Sequence, residues 1–205
     1  MILFFGSQND YIRAQLTFLV LLKGGDFMRS GWVPRGEIVH ILASLMPENR
    51  LACEISLITG LRIGDVLSLR TEKVKKGRFT IQEQKTGKRR QISLPADIVR
   101  RCLECGNEIY VFPNRYDGRR HRTRQAINKD IERVARMFRL KEHVSPHSLR
   151  KIYAVAEFEK CGSLARVQKL LNHNSESVTM LYAMANVLSK RKNFKQVNVT
   201  KTRNK

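Results

Sequence analysis

Apolar residues recur at helical spacing along most of the chain and at strand spacing in one stretch. From Pro34 onward, Ile38, Ile41, Leu42 and Leu45 fall on one helical face. A second run through Leu51, Ile55 and Ile58 continues to Gly60, which breaks it. A short helix resumes over 63–70. The period then changes to two: 78–84 and 89–94 alternate like strands around the turn Lys85-Thr86-Gly87-Lys88, the pattern of a basic β-hairpin. Helical patterns return at 96–104, 122–138, 147–160, 163–172 and 175–188, with a short strand at 110–112. The pattern predicts an α+β fold, mostly α-helical, with a small antiparallel sheet at one side.

The two ends read differently from this middle. Residues 1–33 form an N-terminal extension that carries Phe4, Phe5 and the apolar stretch 16–22 before Lys23-Gly24-Gly25-Asp26-Phe27 leads into Met28. Two readings stand. Codons for Lys-Gly-Gly can spell a purine-rich ribosome-binding sequence, which would make Met28 the native start; alternatively 11–22 is a helix that packs its apolar face on the domain. Residues 189–205 hold seven Lys/Arg and no acid, too little apolar surface to order itself, and read as a basic tail. The globular part is therefore 34–188.

A chain of 205 residues with 42% hydrophobic residues can bury one sizeable core. Charge narrows its partners: 39 Lys+Arg against 18 Asp+Glu give +21, with a sequence pI near 10.5. Such an excess points to a polyanion. The basic residues recur along the whole chain, not on one amphipathic helix beside an apolar anchor, which favours nucleic acid over a membrane surface. The apolar stretch 16–22 is far below the roughly 20 residues that span a bilayer, and the first residues lack the basic region of a signal peptide. The expectation is a cytoplasmic protein with no membrane partner. Cys102-x-x-Cys105 has no second pair to complete a zinc site, since Cys53 and Cys161 stand apart in apolar helical patterns; reduced, partly buried thiols are expected, and no metal.

Five segments, taken in order, resemble the tyrosine recombinase or phage integrase family over its catalytic domain. Thr59-Gly60-Leu61-Arg62-Ile63-Gly64-Asp65 is similar to its first arginine motif. Gln84-Lys85-Thr86-Gly87-Lys88 matches its hairpin lysine, Pro146-His147-Ser148-Leu149-Arg150 its His-x-x-Arg box. Leu170-Leu171-Asn172-His173 looks like its Leu-Gly-His element with Asn in place of Gly, and Leu181-Tyr182-Ala183 the segment around its nucleophile. The intervals of 23 from Arg150 to His173 and 9 from His173 to Tyr182 are also the family's. The resemblance implies a catalytic set of Arg62, Lys85, His147, Arg150, His173 and Tyr182, no cofactor, double-stranded DNA as partner, and a homo-oligomer, tetrameric at synapsis.

The residue types suit that chemistry. Displacing a deoxyribose oxygen from a phosphodiester needs charge stabilisation on the non-bridging oxygens, a nucleophile, and an acid for the leaving oxygen. Arg62 and Arg150 offer guanidinium forks that grip a phosphate bidentately, as Lys cannot. In the roles the resemblance implies, Tyr182 is the nucleophile, His147 the candidate base, His173 a phosphate donor, and Lys85, on a mobile turn, the acid that can protonate the leaving 5′-oxygen. The product is a 3′-phosphotyrosyl link and a free 5′-hydroxyl.

Around this set, Lys88, Arg89, Arg90, Arg119, Arg120, Arg122 and Arg124 are expected to contact backbone phosphates, with a solvated charge run as the plainer reading. Asp65, three residues beyond Arg62, either buttresses a catalytic guanidinium or makes an i,i+3 surface pair. Residues 1–33 are too short to be the helical DNA-clamping domain the family generally carries in front of its catalytic domain. Beside a site-specific recombinase that cuts and rejoins DNA, two further readings therefore stay open: a non-catalytic DNA-binding regulator, and a type IB topoisomerase-like enzyme that cleaves and reseals without synapsis.

Overall fold

The computed structural model describes residues 35–140 and 143–171, and the expectations for 1–33, 175–188 and the tail lie outside them. Helices α1 (Arg35–Ala43), α2 (Pro47–Thr59), α3 (Ile63–Leu67) and α4 (Thr71–Val74) come first. The hairpin β1 (Arg78–Gln82) and β2 (Arg89–Ser93) follows, then α5 (Ala96–Cys105), α6 (Arg124–Met137), α7 (Pro146–Cys161) and α8 (Leu164–Leu171). The fold is mostly helical with one two-stranded antiparallel sheet among the described residues. Two details differ from the sequence pattern. Residues 63–70 split into α3 and a turn before α4. The strand expected at 110–112 is reduced to isolated bridges, Arg70 with Tyr110 and Pro113 with His121.

The core is one cluster. Ile38, Ile41, Leu42 and Leu45 of the first helical face are buried in it, as are Leu51 and Ile55 of α2. Ile58 is 46% exposed, because α2 rotates its inward face onto Ala52, Cys53, Ser56 and Thr59, against which α7 packs. The polar members of that face are satisfied internally: the Ser56 hydroxyl donates to the Leu61 carbonyl at 2.8 Å and the Thr59 hydroxyl to the Ile55 carbonyl at 2.6 Å. At the other end of α2, the Asp130 carboxylate of α6 accepts from the Met46 N–H at 2.9 Å and from Asn49 Nδ2 at 2.7 Å, and Arg133 adds two bonds at 3.0 and 2.8 Å. These donors hold Asp130 below the ordinary carboxylate range although its burial works the other way.

Cys53 and Cys102 are fully buried and Cys105 and Cys161 half-buried, none of them in a disulfide. Burial pushes the Cys53 and Cys102 thiols up to about 12. Among the described residues, no helix is long and apolar enough to cross a membrane.

Candidate active site

The site is assembled at the end of α2. Gly60 closes that helix in the left-handed conformation, φ 66°, and a β-carbon there would overlap the Tyr153 ring of α7. Only glycine meets both conditions without strain. The sharp exit sends the chain into Leu61 and Arg62, and Arg62 is the cap position of α3. The last carbonyls of a helix lack intrahelical partners and carry its negative dipole end, so they attract cations. Two arginines answer. Arg150 Nη1 of α7 donates to the Gly60 carbonyl and Arg90 Nη2 of β2 to the Thr59 carbonyl. Arg150 Nη2 also donates to the Leu171 carbonyl at the end of α8, at 2.7 Å. Its fork is thus aimed by two backbone carbonyls from two helices.

Arg150 is 3% exposed. Burial, with the charges of Arg62 and Arg90 added to it, lowers its pKa to about 10, against the opposing pull of Glu83 and Asp65. Arg150 therefore stays protonated at neutral pH and shares the site with a second guanidinium. The charges that act on Arg150 are thus those of Arg62 and Arg90 on one side and of Glu83 and Asp65 on the other.

The hairpin and α3 supply one counter-charge each, Glu83 and Asp65. With Phe79 opposite Ile92 and Ile81 opposite Arg90, the inward face carries Phe79 and Ile81, then Glu83 just beyond β1, and opposite them Arg90, Ile92 and Leu94. Glu83 is fully buried. Its Oε2 accepts from Arg62 Nη1 at 2.9 Å and from the Thr86 hydroxyl at 3.0 Å, and its Oε1 lies 3.7 Å from Arg90 Nη1. Asp65 is 4% exposed, so a surface pair is not its position. Its Oδ1 accepts the Gln84 N–H at 2.9 Å while its Oδ2 is buried without a hydrogen bond. Burial raises the Asp65 pKa, with the Gln84 N–H opposing it.

Of the expected catalytic residues, Arg62 and Arg150 are brought together, and Lys85 is exposed on the turn beside them. That turn carries hydrogen bonds on both sides of Lys85, from the Gln84 N–H to Asp65 Oδ1 and from the Thr86 hydroxyl to Glu83 Oε2. His147 is exposed in the first turn of α7, at whose start the Ser145 N–H donates to the Ser148 hydroxyl at 3.2 Å. His173 and Tyr182, and the Asn172 that departs from the family motif, lie outside the described residues.

The expected phosphate contacts divide. Lys88, Arg89, Arg119, Arg120 and Arg124 are exposed, and Arg124 runs past the first turn of α3, its Cδ 3.4 Å from where a β-carbon at Gly64 would sit. Arg90 and Arg122 are held largely inside the fold, with side chains 12% and 18% exposed. Arg90 points inward because it shares the strand face of Ile92. Arg122 is a strut, its Nη1 donating to Asn49 Oδ1 at 2.6 Å with its side chain 18% exposed. Glu83 and the Thr86 hydroxyl are site groups that the sequence motifs do not single out. A signal for the first is present in the alternation Phe79, Ile81, Glu83, which places an acid on a buried strand face.

The phage integrase family matches over residues 34–188, three-quarters of the chain. The chain belongs to the phage integrase family. Curated relatives include the integrase of Escherichia phage P2, 28% identical over 75% of this chain and 43% of that protein. The probable integrase/recombinase YoeC of Bacillus subtilis is 30% identical over 60% of this chain and 70% of that protein, and the tyrosine recombinase XerA of Pyrococcus furiosus 24% identical over 83% and 66%. The chain thus spans less than half the length of the P2 integrase.

Solved structures give the same fold at low identity. A lambda integrase dimer bound to a COC' core site superposes with TM-score 0.65 at 20% identity, covering 78% of this chain and 49% of that one. A XerA recombinase superposes with TM-score 0.63 at 18% identity, covering 94% and 76%. The integrase-family fold explains why two arginines far apart in sequence meet: the first sits after the break at Gly60, the second on the helix that packs over it.

Proposed function

We propose that this chain is a tyrosine-type DNA strand transferase of a mobile element, acting on double-stranded DNA as a homo-oligomer in the cytoplasm. One observation carries the reading: Arg62 and Arg150 stand together, oriented by a buried carboxylate and by helix-end carbonyls. Family membership supports it, as do structural neighbours solved on DNA, one of them a lambda integrase tetramer bound to a Holliday junction.

In the proposed reaction the phosphodiester lies across the two guanidiniums, which bind its non-bridging oxygens more tightly as charge grows on them. The Tyr182 oxygen attacks phosphorus and loses its proton to a base, for which His147 is the candidate. The bond from phosphorus to the 5′-oxygen breaks, and Lys85 protonates that oxygen. The phosphotyrosyl bond conserves the energy of the one broken, so a 5′-hydroxyl from another strand can reverse the step. His173 serves as a further phosphate donor. Lys88, Arg89, Arg119, Arg120 and Arg124 supply the sequence-independent attraction to the backbone.

The test is a set of nicked suicide duplexes drawn from the DNA that flanks the gene. The wild-type chain should give an SDS-stable adduct, and Tyr182→Phe should bind equally and give none. An adduct with the variant would overturn the assignment of Tyr182. Binding without any wild-type adduct would leave a DNA-binding regulator, and relaxation of supercoiled plasmid without recombinants a topoisomerase-like enzyme.

A further inference from the structure

We propose that Glu83 is a positioning residue that couples the orientation of the Arg62 guanidinium to the turn bearing Lys85. The inference rests on the strand-transfer reading for its chemical consequence, but its structural content stands apart from it.

The position invites an apolar residue. Glu83 continues the inward face of Phe79 and Ile81 and is fully buried. A buried carboxylate is costly unless paired and hydrogen-bonded, and such an ion pair is seldom the most stable filling for its site. Its presence there is better explained by what it fixes. One oxygen, Oε2, takes both the Arg62 Nη1 donor at 2.9 Å and the Thr86 hydroxyl at 3.0 Å. Thr86 is the residue next to Lys85. The Glu83 backbone closes the same turn, its N–H donating to the Lys88 carbonyl at 3.0 Å and its carbonyl accepting the Gly87 N–H at 2.8 Å. Any movement of the turn therefore moves the oxygen against which Arg62 is set.

A second tie runs the other way. Asp65, on the helix that Arg62 caps, accepts the Gln84 N–H at 2.9 Å. An acid from the hairpin holds the helix cap, and an acid from the helix holds the hairpin. Residues 83, 84 and 86 are all fixed, and Lys85 projects from between them. The charge stabiliser and the candidate acid for the leaving group thereby form one preorganised unit.

Glu83→Gln keeps the volume and one acceptor but removes the charge. DNA affinity and its salt slope should stay at wild-type values, while the single-turnover rate of adduct formation at saturating DNA falls by about 10- to 100-fold. Replacing the leaving 5′-oxygen by sulfur separates the contributions. It should restore Lys85→Ala, leave Arg62→Lys defective, and restore Glu83→Gln part-way, because that variant disturbs both groups. No restoration, or a rate unchanged by Glu83→Gln, would overturn the coupling.

Hydrogen exchange on the DNA-free protein decides the structural content whatever the chemistry does. Arg62→Ala and Glu83→Gln should each speed exchange at the Gln84 and Gly87 amides, with the core amides of α2 and α7 unchanged. Turn exchange that ignores Arg62→Ala would sink the proposal even if adducts form. Faster exchange in a protein that forms no adduct on either substrate would uphold the coupling and overturn the strand-transfer reading instead.

Discussion

Two regions of this molecule use arginine in opposite ways. Around the end of α2, Arg62, Arg90 and Arg150 are largely enclosed, and their partners include backbone carbonyls and a buried carboxylate. In the loop before α6, Arg119 and Arg120 are exposed, beside a Tyr116 that is 95% exposed, on a backbone tied to itself by Asn107, Asn114 and Asp117. An enclosed guanidinium has lost its freedom in advance and can serve one geometry. An exposed one keeps its freedom and contributes charge that salt screens. The +21 of the sequence is a sum over the whole chain and does not distinguish the two regions, whereas the candidate chemistry depends on the first.

The sharpest way to break this division is to keep charge while removing shape. Arg62→Lys should lower the plateau rate of adduct formation by about 100- to 1,000-fold, the scale of a missing transition-state donor, with DNA affinity within about two-fold of wild type. Near-wild-type cleavage would show that charge alone suffices.

A smaller effect, read in stability, comes from the helix end that aims Arg150. Gly60→Ala places a β-carbon in the left-handed region and against the Tyr153 ring, which should cost about 2 to 4 kcal/mol in urea unfolding. Gly87→Ala, also at φ 67° but with open space around it, should cost only about 1 kcal/mol. Equal destabilisation would mean that the packing against α7 is unimportant.

In the exposed region, Arg119→Gln with Arg120→Gln should reduce the slope of log affinity against log salt by about 0.9 for each phosphate that is no longer neutralised. An unchanged slope would remove both residues from the interface.

The least effect concerns the buried thiols. With Cys53 and Cys102 raised to about 12 in the fold, the unfolded chain ionises first, so their contribution is intact below about pH 9 and is lost as pH rises toward 12. Cys53→Ala with Cys102→Ala should flatten the fall in stability between about pH 9 and about pH 11. The same slope in the variant would assign that fall to other groups.

Much of this is legible in the sequence, for reasons that vary by residue. The helices and the hairpin follow from apolar period, and Gly60 stands out as a break. Arg62 and Arg150 follow from motif order, and their meeting follows from α7 packing on α2. No motif singles out Glu83, and judging basic residues by charge alone does not reveal that Arg90 and Arg122 are partly enclosed. The alternation of Phe79 and Ile81, and of Ile92 and Leu94, already places Glu83 and Arg90 inside. Arg122 has no such signal, since its partner Asn49 is 73 residues away and only the folded chain brings the loop before α6 to the first turns of α2. Asp65 leaves two readings open in the sequence, and burial separates them.

The most direct test of the division is single-turnover adduct formation as a function of DNA concentration, for wild type, Arg150→Lys and the Arg119→Gln/Arg120→Gln pair. Arg150→Lys should lower the plateau by at least about 100-fold and leave the half-saturating DNA concentration in place. The surface pair should shift half-saturation to higher DNA, more so at higher salt, and reach the wild-type plateau. A plateau lowered equally in both would contradict the division, because the enclosed and exposed arginines would then be doing the same work.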